Sequence, residues 1–186
     1  MTRLAETPMS VDEFLLWQET QDERHELVDG RPWLMTGSSS AHADIAGNVF
    51  ATLRNGLRGK SCKARLEFAV ATAASNVRFP DVMVDCGPTA AADHIAAGPT
   101  VVIEVTSPSS LAVDYLQKPR DYASVATIST YIILNQDAVR ATVLRRSGTE
   151  LVLEGEAIGR EAVVDLPEIG ISLSLADAYE GLDLRD

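Results

Sequence analysis

The sequence predicts a mixed α/β protein, a sheet of mixed strand direction with helices packed on it. Three observations predict it. Ile45, Val49, Leu53 and Leu57 recur at four-residue spacing, which is the apolar stripe of an amphipathic helix. Thr100–Thr106 is almost wholly apolar and β-branched, the pattern of a strand buried on both faces. Asp29-Gly30 and Ser147-Gly148 each stand between strand-like runs, where a hairpin turn is expected.

In chain order, Ser10 and Glu13 form a capping box that opens a short helix through Phe14, Leu15 and Trp17. His25–Val28 and Pro32–Met35 read as the first hairpin. Gly37–Ser40 is a loop leading into a helix over Ala41–Leu57. Ala64–Val70 and Val77–Val84 read as a strand pair joined by a turn at Ala73–Asn76. Ala90–Gly98 is a loop, and Thr100–Thr106 the central strand. A helical stretch follows from Ala112 to Ala126, then a buried strand over Tyr131–Leu134. Arg140–Arg145 and Leu151–Ala157 form a second hairpin, and Leu173–Leu182 a terminal helix. There is no internal repeat and no linker. One domain over residues 1–186, with a core of about 9–180, is expected.

The chain has 186 residues, 46% hydrophobic and 23% charged, with a formal net charge of −11. That acidity argues against strong non-specific DNA binding, which relies on Lys and Arg neutralising phosphates. It leaves room for an acidic metal site, where a bound cation inverts the local sign. Arg54, Arg58, Lys60, Lys63 and Arg65 are locally grouped; a solvated helix end and loop is the simpler reading, a phosphate-binding patch the other. The first residues lack the apolar stretch of a secretory signal, and no apolar run approaches a membrane span. Cys62 and Cys86 lie far apart with no CxxC partner, so a reducing, cytoplasmic setting is the expectation.

The chemistry centres on acids in apolar strands. Glu104 interrupts Val101-Val102-Ile103-Glu104-Val105, where a carboxylate is costly unless paired, protonated or metal-bound. Strand alternation puts it on the face of Val102 and Thr106, opposite Val101, Ile103 and Val105. Asp81, in Pro80-Asp81-Val82, is the second candidate. Two carboxylates on adjacent strands would raise each other's pKa, and a hard cation such as Mg²⁺ or Mn²⁺ removes the conflict. Lys118 stands four residues after Asp114 and four before Tyr122. That spacing gives a simple helical ion pair, or an ammonium aimed at a scissile phosphate. Glu26, judged on its spacing, is an exposed strand carboxylate. His42, after three serines, reads as a surface or capping residue. His25 and His94 read as structural, and Trp17 and Trp33 as core or partial core.

The ordered set His25-Glu26-Leu27-Val28-Asp29-Gly30, His42, Pro80-Asp81-Val82, Ile103-Glu104-Val105-Thr106-Ser107-Pro108-Ser109, Asp114, Lys118 and Tyr122 resembles the Uma-type restriction endonuclease family of the PD-(D/E)XK nuclease superfamily. The resemblance spans roughly Met9 to Tyr179. It implies a restriction-endonuclease-like core, a mixed central sheet flanked by helices. It implies Asp81 and Glu104 as metal ligands, Glu26 as an accessory acid, and metal-dependent hydrolysis of nucleic-acid phosphodiesters, with DNA the expected substrate. The superfamily's lysine usually follows the glutamate by two residues, where this chain has Thr106. Similar proteins carry it on the next helix, at the position of Lys118. Pro119 departs from the pattern, because it lacks a donor and biases Lys118 away from helical geometry unless a helix starts there. A homodimer is expected on general grounds. The alternatives are an inactive nuclease-fold binding module, or an interaction protein whose buried acids close onto Arg78 or Lys118.

Overall fold

The computed structural model describes residues 8–35, 37–72 and 76–184. The main sheet has six strands in the order β10-β9-β8-β7-β6-β3. They are β3 (Lys63–Leu66), β6 (Val82–Asp85), β7 (Pro99–Thr106), β8 (Thr130–Asn135), β9 (Arg140–Ser147) and β10 (Glu150–Ile158). Among the described strands of this sheet only β7 and β8 run parallel, and the helical segment between them supplies the crossover that parallel strands require. A four-stranded sheet, β2-β1-β5-β4, holds β1 (His25–Val28), β2 (Arg31–Leu34), β4 (Val70–Ala71) and β5 (Val77–Arg78). A third, two-stranded sheet pairs β11 (Val163–Leu166) with β12 (Ile171–Ser174).

Helix α2 (Ser40–Gly56) covers one face of the main sheet, as its apolar repeat requires. Ile45, Val49 and Leu53 are fully buried against Val101, Ile103 and Ile132. The other face of β7 carries Val102 into a second cluster with Tyr122, Tyr131 and Ile133. Helix α1 (Val11–Gln18) starts at the expected capping box, both halves of which form. Asp29 and Gly30 both take positive φ, 51° and 72°, as a two-residue hairpin turn demands.

The structure departs from the sequence-based expectation in four places, the first being the stretch Ala112–Ala126, which is a π-helical turn over Val113–Gln117 followed by a short α-helix over Lys118–Ala123. The long strand pair over 64–84 is divided between two sheets: β3 pairs with β6, and β4 with β5. The division falls where Glu67 adopts φ 43° and Pro80 interrupts the ladder. Part of the expected turn, residues 73–75, lies outside the described residues. The terminal helix is shorter, because Ile171–Ser174 pairs as β12 before α4 (Leu175–Ala178) begins. The cysteines also differ from expectation. Cys62 and Cys86 form a disulfide, because the register Lys63↔Asp85 places the next residues outward opposite each other.

Candidate functional site

Glu104 sits in the middle of the main sheet, 3% exposed. Its face is the expected one, since Val101, Ile103 and Val105 pack under α2 and Val102 packs in the second cluster. Strand β6 is its antiparallel neighbour, in the register Val82↔Ile103 and Met83↔Val102. One more step in that register places Asp81 opposite Glu104. The Asp81 carboxylate accepts the Val105 N–H at 2.7 Å, so it is fixed beside β7. Unlike Glu104, Asp81 keeps 16% of its side chain open to solvent.

Lys118 joins this pair from the β7–β8 crossover. Val113–Gln117 forms a π-helical turn in which the Lys118 N–H bonds back to the Val113 carbonyl. Helix α3 (Lys118–Ala123) then begins, and Pro119 falls in its first turn, where a missing donor costs little. Lys118 keeps αR geometry in spite of the following proline, with φ −58° and ψ −36°. Its Nζ lies 2.9 Å from Glu104 Oε1 and 3.1 Å from Asp114 Oδ1. Tyr122, one turn on, donates its hydroxyl to the same Glu104 oxygen at 2.6 Å.

Glu26 is buried rather than exposed. Its Oε2 accepts from Arg78 at 2.7 Å, and Arg78 bridges at 2.6 Å to Asp121 on α3. Asp121 also accepts from Asn76 at 3.3 Å. Hairpin, β5 and α3 are therefore joined by one polar network. Glu26 lies near enough to Lys118 for its charge to reinforce the ammonium.

His42 is the residue that sequence reasoning missed. Ser39 caps α2 and accepts the His42 N–H at 3.2 Å, which fixes the imidazole at the third helical position. From there Nε2 reaches Asp81 Oδ2 at 3.2 Å, with 17% of the side chain exposed. The signal was present, since a capping serine three residues earlier sets where a helix-start side chain points. The strand that it faces was not visible locally.

The electrostatics follow from crowding. Asp81, Glu104, Asp114, Glu26 and Asp121 meet two permanent cations, Lys118 and Arg78, and one imidazole. Burial raises the Glu104 carboxyl to about 8; Lys118 opposes the shift, and the charges of Asp81 and Asp114 add to it. Burial alone would lower the His42 pKa, but its hydrogen bond to Asp81 and that residue's charge outweigh it and the net direction is up. Burial likewise works against the Lys118 ammonium, and the surrounding acids more than compensate, so it stays protonated.

No three His, Cys, Asp or Glu side chains converge into a ready-made metal cage among the described residues. The donor set still suits a hard cation. Two carboxylates stand in register, one of them open to water, with negative charge in excess. Asp114 Oδ1 is met only by the ammonium, with no well-formed hydrogen bond. Mg²⁺ commonly takes one or two carboxylates and fills its remaining positions with water.

Three comparisons bear on this arrangement. The sequence profile described as "Uma2: Putative restriction endonuclease" matches residues 11–176. An uncharacterised protein of Synechocystis sp., slr1290, is 31% identical over 180 residues, covering 94% of this chain and 93% of the relative. The crystal structure of a "putative nuclease belonging to DUF820" from Anabaena variabilis superposes with a TM-score of 0.71 at 18% identity, over 92% of this chain and 98% of that one. At that identity the superposition speaks for the fold.

Proposed function

Because the chain belongs to the Uma2 family, we propose that it is a divalent-metal-dependent endonuclease that hydrolyses phosphodiester bonds, with DNA as substrate. The observation that carries this reading is the Asp81 carboxylate held on the Val105 N–H, close enough for its charge to act on Glu104, inside a site with more carboxylates than cations. Asp81 and Glu104 would hold Mg²⁺ or Mn²⁺, which supplies an acidified water and polarises the phosphate.

The protein's own groups supply position and charge. The Val105 N–H and His42 hold the Asp81 carboxylate in one orientation. Tyr122 and Lys118 orient Glu104. Lys118 carries the positive charge that would stabilise a developing phosphorane-like anion. Glu26 acts from behind, fixing Arg78 and sustaining the Lys118 ammonium. A two-fold dimer would present one such site to each strand of a duplex.

The test pairs calorimetric titration with Mn²⁺ and plasmid nicking, on wild type, Asp81→Ala and Glu104→Gln. Binding and nicking in wild type, both lost in the two variants, are expected. Nicking that survives both substitutions ends the proposal. A second reading, an inactive nuclease-fold binding module, is favoured by the closure of Glu104 onto Lys118 and Tyr122. It predicts no metal-dependent thermal shift and no nicking at any metal concentration.

A further inference from the structure

A cavity of about 580 Å³ opens where the end of α2 meets β3, the edge strand of the main sheet. Five of its eight lining residues are basic, Arg54, Arg58, Lys60, Lys63 and Arg65, and none is acidic. The chain has 27 acidic and 16 basic residues, so nearly a third of its cations line this one hollow. Basic residues are expected near a helix C-terminus, whose partial charge is negative. That accounts for Arg54 and Arg58. It does not account for Lys63 and Arg65, which share one face of an extended strand.

The five residues differ in how they are held. Lys60 is tied to the carbonyls of Ile169 and Gly170 at 2.9 and 2.7 Å. Arg65 is fixed by Thr89 at 2.7 Å and Asp85 at 3.4 Å, with its guanidinium stacked 4.5 Å over Phe68. Arg54, Arg58 and Lys63 are exposed, and none has a carboxylate within ion-pair distance among the described residues. Two anchored cations, with Arg54 resting 5.8 Å over the Phe50 ring, thus brace the uncommitted Arg58 and Lys63 around a concave surface.

We propose that this basic cavity is a docking site for the phosphodiester backbone of the substrate duplex, outside the metal site. The inference rests on the nuclease reading for the identity of the duplex, but not for the anion chemistry. Helix α2 links the two places. His42 touches Asp81 in its first turn, and Arg54 lies twelve residues further on. At 1.5 Å per residue that is roughly 18 Å along the helix, or about five base pairs of duplex at 3.4 Å each. A backbone bound there would flank the cleaved bond rather than present it. The site also reconciles a net charge of −11 with a nucleic-acid substrate, because repulsion elsewhere confines the duplex to this patch.

The experiment is fluorescence anisotropy with a labelled 30-base-pair duplex in EDTA. EDTA prevents cleavage and removes any metal contribution. Wild type is compared with Arg58→Glu/Lys63→Glu, two exposed positions away from the metal site, with unchanged melting as the control for folding. The expected result is at least a ten-fold weaker Kd in the variant, and a salt slope reduced by about two. Equal affinity and slope in the two proteins overturns the proposal, as does the absence of duplex binding by wild type. Inorganic phosphate at the same phosphate concentration should not displace the duplex. Full displacement would mark a single-ion pocket and also overturn it. Single-stranded RNA that binds tenfold tighter than duplex DNA would overturn the assignment to a duplex. Nicking by wild type is scored separately: if the patch binds and nothing is cut, the docking site stands and the nuclease reading falls.

Discussion

The two ends of α2 treat charge in opposite ways. At its start, five carboxylates crowd around Lys118, Arg78 and His42, and all but the rim of the cluster is buried. At its end, Arg54, Arg58 and Lys63 stand in water with no carboxylate within ion-pair distance among the described residues. Buried charge must be answered inside the protein, because desolvation would otherwise exceed the attraction. Exposed charge can be left for a partner to answer. The first end is therefore coupled to stability, and the second is free of it.

Removing the central cation should break this comparison most visibly. Above pH 8, where Glu104 ionises, Lys118→Met leaves Glu104 and Asp114 buried without a counter-charge, and should cost about 3–5 kcal/mol in urea denaturation. Adding Glu104→Gln to that variant should recover part of the loss. The same acid sets a pH dependence. Its folded pKa of about 8 is above the ordinary 4.5, so its contribution is fully present below 4.5 and is lost as pH rises through 8. Melting temperature should fall over that interval in metal-free buffer, and Glu104→Gln should flatten the fall.

Next in size is the covalent tie at the basic end. Reducing Cys62–Cys86, which closes a separation of 24 residues, should cost about 3 kcal/mol by loop entropy. Cys62→Ser should match it and be insensitive to reductant. Tyr122→Phe removes one hydrogen bond to Glu104 and should cost about 1.5–3 kcal/mol. Smallest of all, Arg58→Gln should stay within about 0.5 kcal/mol of wild type. A larger effect there would show that the exposed cations are structural after all, and the contrast between the two ends would collapse.

The parts of the site that were legible are those in which a residue conflicts with its own segment. A glutamate inside Val101–Val105 is such a conflict, and it marked both the strand and the chemistry. Lys118 with Asp114 was legible from helical spacing, and the resemblance supplied the link to Asp81. The parts that were not legible depend on contacts between segments. His42 faces Asp81 across 39 positions of sequence, and nothing in its own turn indicates that strand. Glu26 read as exposed because its burial comes from Arg78, 52 residues away. The cysteine pair depends on the β3–β6 register, which no local pattern encodes. The division of the 64–84 hairpin turned on Glu67, an ordinary residue in a backbone conformation it seldom adopts.

The π-helical turn before Lys118 has a consequence for how this chain can change in length. A π turn holds one more residue than the α turn it replaces. Deleting Leu116, whose side chain is 64% exposed, would let the stretch relax to α geometry. Lys118 would then keep its place on the helix face, because its N–H bond to the Val113 carbonyl would become an ordinary α-helical bond. The turn is thus a one-residue reserve: a shortening by one residue at Leu116 passes, while the same shortening between Lys118 and Tyr122, where the helix is already α, would turn Tyr122 about 100° away from Glu104.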